Sequence, residues 1–349
     1  MAVGQGSLVG NLSYLAIGRE ITFGTYATCT SGLNFLSASF KTMKDVKILE
    51  EIQTSRTNSN AISLGKTLEG ECEFYFSPIN SACNYIVHNA FGGGAVVSAT
   101  ATGETAGGAG FTHTVSINNF LTTYSSLSFN VRKGQATDGK IFEYSGFRVN
   151  ELSFTAEIDE ALKCSASLVG KDSTITANDV SSALTTLTQA PLSFVNGRFS
   201  VETSTGALTT TSFWHVQSFE FKISNNLNSD SGARRIGSDT LQILPAGMAS
   251  FDLKATIRFD TTTAFDAMIA GTRLSAEFEF LGNTMSTSAI REGIKLTMPY
   301  VLISDAGDPE IGGPNEMLTS EVTFKVLRDP TSGGYAVRAL VTNNTSTYA

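Results

Sequence analysis

The sequence predicts a mainly β protein built from two copies of one β-rich domain, each with one short α-helix. Two patterns carry this prediction: short segments that alternate apolar and polar residues, and landmarks that recur in the same order in both halves of the chain. Composition agrees, because 41% of the 349 residues are hydrophobic, only 16% are charged, and Phe outnumbers Trp by 23 to 1. Aromatic-rich, weakly charged chains with many turn residues favour short strands.

Eleven segments have the alternation or β-forming residues of a strand with one solvated face. In the first half they are residues 33–42, 67–76, 112–120, 126–131, 147–158 and 162–169. In the second half they are residues 213–223, 248–259, 273–282, 293–303 and 318–327.

Helical spacing is confined to two places, each directly after a strand. The first helix is predicted to begin at Ser77 and Pro78, as N-cap and first-turn residues, and to end at the glycines 92–94. The second is predicted to begin at Asp260, as a possible cap, and to end at Gly271. Polar caps, an early proline and a terminal glycine are typical helix boundaries.

The order of these elements indicates an internal duplication with a period of about half the chain. The segment GREITFGTYAT at 18–28 has a counterpart in GRFSVETSTGA at 197–207, and a strand followed by a helix occurs in both halves. The proline-containing stretch around Gln189 to Pro191 separates the copies. The predicted domains are therefore 1–189 and 190–349, the second ending in an arm from residue 328 that either docks on a neighbour or frays.

The charge balance argues against a surface that grips nucleic acid. The net charge is −8 and the sequence pI is near 5.0, whereas phosphate binding requires clustered Lys and Arg. No apolar run reaches the roughly 20 residues of a membrane span, and the N-terminal residues lack the pattern of a secretion signal. The sequence therefore predicts a protein made in the cytoplasm.

Catalytic, metal and cofactor motifs are not evident in the sequence. The cysteines and histidines lack the spacing of a zinc site or disulfide framework, and structural roles are expected for them. They are Cys29, Cys72, Cys83, Cys164, His88, His113 and His215. The Gly-rich segment 92–111 lacks the terminal Gly-Lys-Ser/Thr of a phosphate-binding loop and is expected to be a mobile surface loop, and no Gly-x-Ser-x-Gly elbow is present.

Pairs of acidic residues two positions apart place both carboxylates on one face of a strand. The pairs are Glu71 with Glu73, Glu277 with Glu279, and Glu157 with Asp159. A glycosidase pair must flank a substrate and usually comes from different elements. Neighbouring acids on one strand therefore favour a hydrated outer face.

Several segments together resemble the tail tube proteins of long-tailed bacteriophages, in the form that carries two copies of the domain. The resemblance covers almost the whole chain and rests on the order of its motifs. They are GREITFGT at 18–25, the strand and helix at 71–91, YSGFRVNELS at 144–153 and the strand ending GKDS at 170–173. The Gly-rich insertion at 92–111 departs from the family pattern.

The resemblance implies two tandem β-sandwich or partly closed barrel domains, each with a flanking helix, in a protein that assembles into stacked rings around a DNA channel. It also implies tape measure and tail-end proteins as partners and no cofactor. Because duplication lets one chain fill two neighbouring positions, a trimeric ring with pseudo-sixfold symmetry is expected, and a hexamer is the alternative. A secreted adhesin or surface-layer subunit and, less well supported, a carbohydrate-active enzyme are the other classes considered.

Two sets of residues receive candidate roles from this resemblance. Glu71, Glu73, Glu277 and Glu279 are candidates for the channel wall, where acidic groups would let DNA slide. Loops 44–60 and 224–240 are candidates for contacts with the next ring, with simple solvated hairpins as the alternative. Their charged candidates are Lys44, Asp45, Glu50, Glu51, Arg56, Arg234 and Arg235.

Overall fold

The computed structural model describes most of the chain. The described residues are 10–52, 54, 56–104, 108, 110–117, 126–135, 139–184, 191–202, 213–285, 290–309, 317–330 and 334–348. The predicted domain boundary at 189–190 lies outside them. Strands predominate, and the described residues contain two short α-helices.

The strands and helices up to residue 176 are β1 (Tyr14–Arg19), β2 (Ser31–Leu33), β3 (Ser37–Ile48), β4 (Ala61–Tyr75), α1 (Ser81–Ala90), β5 (Val97–Thr100), β6 (Phe111–Ser116), β7 (Leu127–Lys133), β8 (Lys140–Glu157), β9 (Lys163–Gly170) and β10 (Asp172–Thr176). Those that follow are β11 (Gly197–Glu202), β12 (Val216–Ser224), β13 (Ser250–Arg258), α2 (Thr263–Ala270), β14 (Leu274–Thr284), β15 (Arg291–Asp305), β16 (Thr319–Val326) and β17 (Arg338–Asn343).

The same antiparallel pairing order occurs twice along the chain. The earlier strands pair in the order β1, β7, β8, β9, β4, β3. The later strands pair in the order β11, β14, β15, β16, β13, β12. In both series the helix follows the strand in the fifth place, β4 or β13.

Two strand pairs join the earlier and later series. Strand β12 lies antiparallel to the C-terminal part of β8, with Phe221 opposite Phe154 and Ser224 opposite Glu151. Strand β17 lies between β15 and β6, with Leu340 opposite both Lys295 and Thr114. Main-chain hydrogen bonds therefore connect the two series at two separate places.

Each series folds into two facing layers, because its third strand runs through both. The N-terminal part of β8 pairs with β7 and β10, and its C-terminal part pairs with β9 and β12. Aromatic rings fill the space between the layers: Phe40 lies 5.1 Å from Phe129, and Phe219 stacks 4.2 Å from Phe278, measured between ring centroids. Burial of these rings stabilises the core.

All eleven predicted strands are present, and the two helices lie where helical spacing occurs. The N-terminal caps were predicted wrongly. Asn80, rather than Ser77, caps α1, since its side chain accepts a hydrogen bond from the backbone N–H of Ala82 at 2.8 Å. Thr262, rather than Asp260, occupies the N-cap position of α2, while Gly271 ends that helix with a φ of 59° as predicted.

Two segments predicted to be irregular contain strands. The Gly-rich stretch includes β5, which pairs with β6, although residues 105–107 and 109 lie outside the described part. The arm after residue 328 contains β17 and ends with Tyr348 buried beside the rings of His88 and His113. The arm therefore docks on its own chain.

Candidate assembly surfaces

One outer face of the fold carries many of the charged side chains that lie on strands. It is formed by the outward side chains of β3, β4, β9, the C-terminal part of β8, β12, β13 and β16, and we call it the polar face. Neighbouring strands in this run are hydrogen-bonded to each other, so the face is continuous across both series. The inward residues of the same strands, such as Phe74, Phe154 and Phe221, are fully buried.

Acidic and basic side chains alternate across the strands of the polar face. Ion pairs join Lys163 to Glu73, Lys222 to Glu151, Lys254 to Glu321 and Lys325 to Asp252, at 3.4, 2.8, 3.5 and 2.7 Å. Carboxylates slightly outnumber cations. The acids are Glu69, Glu71, Glu73, Glu151, Glu157, Glu220, Asp252 and Glu321, and the bases are Lys41, Lys163, Lys222, Lys254, Arg258 and Lys325. The polar face therefore has no large excess of either charge. A large positive excess would attract a polyanion, and a large negative excess would repel it.

The four acids predicted for the channel wall lie on two different faces. Glu71 and Glu73 are on β4 in the polar face, where Glu71 lies between Ser39 and Ser167 in register. Glu277 and Glu279 are on β14 in the opposite layer, where their carboxylates pair with Lys295 and Arg198. Glu71 and Glu73 therefore do not share a face with Glu277 and Glu279.

The loop at 44–60 is part of a long hairpin formed by β3 and β4. Its candidates Asp45, Glu50, Glu51 and Arg56 are exposed, and Glu51 accepts a hydrogen bond from the side chain of Asn60 at 2.6 Å. Several apolar side chains on the hairpin are also exposed, including Met43, Val46, Ile48, Ile52, Ile62 and Leu64. An isolated hairpin with uncovered apolar residues is typical of a contact surface.

The segment at 224–240 lies against the base of that hairpin. Arg234 donates hydrogen bonds to the Lys66 carbonyl at 3.1 Å and to the Thr67 hydroxyl at 3.0 Å. Asp239 pairs with Lys44 at 3.3 Å, which holds the pKa of the Asp239 carboxyl below its usual range. Arg235 is exposed. The two loops predicted to make equivalent contacts thus have different surroundings.

Two strand edges on the polar-face layer are open among the described residues. Strand β3 pairs with β4 on one side and has no strand on its other side. The end of β15, from Leu302 to Asp305, pairs with β16 and likewise has no strand on its other side within the described ranges. Open edges are sites where another strand can add main-chain hydrogen bonds.

A buried carboxylate organises the segment 18–25 that carries part of the family resemblance. Glu20 is 1% exposed and accepts hydrogen bonds from the backbone N–H groups of Gly24 and Gly146, both at 2.8 Å, and from the hydroxyls of Ser126 and Ser128. Both glycines have positive φ, 73° and 71°. Charged acceptors with several donors are stable when buried. Apart from the presence of Glu20 in the motif, no sequence signal indicated this role.

The four cysteines, His88 and His113 are buried, whereas His215 is exposed. All four cysteines are buried free thiols, and burial raises the pKa of Cys72 and Cys83 to about 12. His113 is fully buried and contacts the Ser98 hydroxyl at 2.8 Å and the Asn343 side chain at 3.0 Å. No group of three potential metal-ligating residues occurs in the described part, and no helix there is long and apolar enough to cross a membrane.

Open strand edges, an exposed hairpin and a charge-balanced face define a structural β protein suited to association with further chains. The family model for phage tail tube proteins matches residues 10–326, and the chain belongs to that family. A comparison with curated proteins gave no match. The predicted family is confirmed: the protein is a structural, non-enzymatic component of the virion tail, and its relatives self-assemble into the tail tube. This membership displaces the adhesin and carbohydrate-enzyme alternatives.

Proposed function

We propose that the chain consists of two copies of one tail-tube domain, residues 1–189 and 190–349, and that three chains close a ring of six similar positions. The strand-pairing order that occurs twice is the observation that carries this proposal. The pairing of β12 with β8 supports it, because this contact already links the two copies as neighbours in a ring would be linked. Six whole chains in a ring are the alternative.

Stacked rings would form the tube through which phage DNA passes without specific binding. The polar face is the proposed channel wall, with Glu71 and Glu73 facing the DNA. Its paired charges support this assignment, because a wall rich in free cations would bind phosphates through counterion release, whereas a balanced or weakly acidic wall lets DNA slide. Glu277 and Glu279, on the opposite layer, are then assigned to the outside of the tube.

The exposed hairpin around residues 44–60 is the proposed contact with the next ring. Asp45, Glu50, Glu51 and Arg56 are the charged residues available there, while Lys44, Arg234 and Arg235 belong to or flank the hairpin base. Tape measure and tail-end proteins are the proposed partners inside and at the ends of the tube.

The ring proposal is tested by electron microscopy of the purified protein combined with mass measurement of single rings. Three chains in a ring with six similar densities in cross-section is the expected result. A ring of six chains would support the alternative, and a protein that stays monomeric at every accessible concentration would refute tube assembly.

The channel assignment is tested by substituting Glu71 with Lys in the phage and measuring DNA ejection. Glu71 has no ion-pair partner among the described residues, so the change places a cation on the wall in every ring without breaking an ion pair. We expect slower ejection that recovers with added salt. Glu160→Lys, at an exposed turn outside the strands of the polar face, is the matched control; equal ejection rates for the two variants would reject the assignment.

A further inference from the structure

The strands equivalent to β8 and β12 in the other pairing series do not contact each other within the chain, and both have an open edge among the described residues. Strand β12 occupies the sixth place in the later pairing order, and β3 occupies the sixth place in the earlier one. Likewise β8 and β15 each occupy the third place. Inside the chain β12 covers the edge of β8, while β3 and the end of β15 are left open among the described residues.

The positions on the two sixth strands can be matched residue by residue. Phe221 of β12 and Phe40 of β3 both point into the core, opposite Leu253 and Gly70 on the adjacent strands. The next residue is a lysine in both cases. Lys222 lies opposite Asp252, and Lys41 lies opposite Glu69. Lys41 is therefore the counterpart of Lys222.

The third strands match through a shared irregularity. The register of β8 against β9 shifts between Val149 and Glu151, and the register of β15 against β16 shifts between Ile303 and Asp305. In each strand the first residue after the shift is acidic and points outward. A bulge at the same place in two strands identifies equivalent positions, so Asp305 is the counterpart of Glu151.

The in-chain contact is held by an ion pair between these matched positions. The Lys222 ammonium lies 2.8 Å from the Glu151 carboxylate, on the polar face. Their counterparts Lys41 and Asp305 are both exposed and lie at the two open edges. The basic residue is on the strand that would dock and the acidic residue is on the strand that would receive it, as in the in-chain pair.

The two helices show the same difference between a covered and an uncovered copy. Helix α1 is mostly buried, and the side chain of Asn225, just after β12, donates a hydrogen bond to its Ala90 carbonyl at 2.9 Å. Helix α2 leaves Phe265 42% exposed and Ile269 71% exposed. Helix α1 thus receives a hydrogen bond from the residue that follows the strand docked on β8, whereas no second strand is docked beside the end of β15 near α2 within the described ranges.

We propose that β3 of one chain docks on the Asp305 end of β15 in a second copy of this chain, with an ion pair between Lys41 and Asp305. This assignment deepens the proposed ring and rests on it. Within the chain, Ser224 lies opposite Glu151. The same register between chains places Met43 opposite Asp305 of the second copy. It also places Thr42 opposite Ala306. The docked hairpin base would also cover the exposed side of α2.

Cysteine cross-linking tests the register directly. A chain carrying Met43→Cys and Asp305→Cys has its only exposed thiols at these positions, because the four native cysteines are buried. Opposed residues of antiparallel strands have Cβ atoms about 4.5–5.5 Å apart, close enough for an oxidised pair to form with small adjustments. We expect a ladder of covalent oligomers on oxidation. Ser224→Cys with Glu151→Cys is the matched positive control and links within one chain; Met43→Cys with Glu160→Cys is the negative control.

Charge reversal tests the ion pair. Lys41→Glu and Asp305→Lys are each expected to raise the concentration needed for half-assembly by roughly five-fold, and the double variant is expected to restore it. Lys140→Glu, an exposed lysine on the opposite layer, is the matched control. Circular dichroism and melting temperature confirm that each variant folds.

The outcomes separate this inference from the proposed tube. The β3–β15 contact is overturned if tubes form but no disulfide links positions 43 and 305, and if neither charge reversal changes assembly. The tube proposal survives that result. If the protein forms no rings, the proposed function is refuted. The cross-linking is then carried out in concentrated solution. A ladder of covalent oligomers there supports the β3–β15 contact, and its absence overturns the contact as well.

Discussion

Substitution of the buried acid Glu20 gives a sharp test of how the 18–25 segment is stabilised. Its two carboxylate oxygens each accept one glycine N–H and one serine hydroxyl: Oε1 binds Gly146 and Ser128, and Oε2 binds Gly24 and Ser126. Glu20→Ala removes all four acceptor contacts. Each backbone N–H left buried without a partner costs about 1–3 kcal/mol, and the serine hydroxyls can rotate toward other acceptors. The expected loss in unfolding free energy is about 2–6 kcal/mol.

Glu20→Gln is the more demanding variant, because it preserves size and shape. Either orientation of the amide directs its NH2 group toward one glycine N–H, so one donor faces another. We expect a loss of at least about 2 kcal/mol, despite the conservative change. An entropy of unfolding near 2.1 cal/mol/K for each of the 349 residues gives roughly 0.7 kcal/mol/K, so this loss corresponds to a fall in melting temperature of about 3 °C.

Urea unfolding followed by tryptophan fluorescence and circular dichroism measures both variants. Glu160→Gln, at an exposed turn, is the control and should lie within about 0.5 kcal/mol of the unsubstituted protein. Glu20→Gln at the level of this control would refute the assignment of Glu20 as the acceptor for both glycines.

Three further predictions concern the core. Gly170→Ala places a Cβ well inside van der Waals contact distance of the buried Phe147 ring and should cost about 1–3 kcal/mol in urea unfolding, whereas Gly232→Ala, which meets open space, should be neutral; similar values for both would contradict the packing. Burial raises the pKa of Cys29, Cys72 and Cys83 to about 12. The folded protein should therefore not react with a thiol reagent at a pH of about 8, whereas all 4 thiols should react in denaturant. A fast-reacting thiol in the folded state would count against this. Burial lowers the pKa of His88, whose Nε2 lies 2.7 Å from the Gly94 carbonyl. The unfolded chain therefore binds a proton at this histidine more readily than the folded protein does. The stability that neutral His88 contributes should be lost as pH falls below about 6.5. His88→Gln should reduce that part of the pH dependence, and parallel stability curves for the two proteins would disprove it.

Strand positions were predictable because alternation reports directly which face of a strand is buried. Strand β4 shows this well: Cys72 and Phe74 point inward, while Glu71 and Glu73 point outward. The recurring order of elements was also visible, because equivalent strands keep their sequence of turns and helices even where side chains differ.

Features that depend on distant partners were not predictable. Strand β17 was predicted only as part of an arm that docks on a neighbour or frays, because its six residues are stabilised by β15 and β6, which lie far away in the sequence. The cap of α1 was misplaced; Asn80, which caps the helix, also donates a hydrogen bond to the Gly32 carbonyl, a partner that the local sequence does not indicate. The separation of Glu71 from Glu277 onto opposite faces likewise required knowledge of which strands share a layer.

The pairing of β6 with β17 has a consequence for the timing of synthesis. Thr112 of β6 lies beside Thr342 of β17, 230 residues further along the chain. At a translation rate of about 5–20 residues per second, β6 waits roughly 10–50 s on the ribosome before its partner strand has been made. During that interval the β5–β6 hairpin has an open edge on the β6 side. That edge is covered only once β17 has been made and pairs with β6.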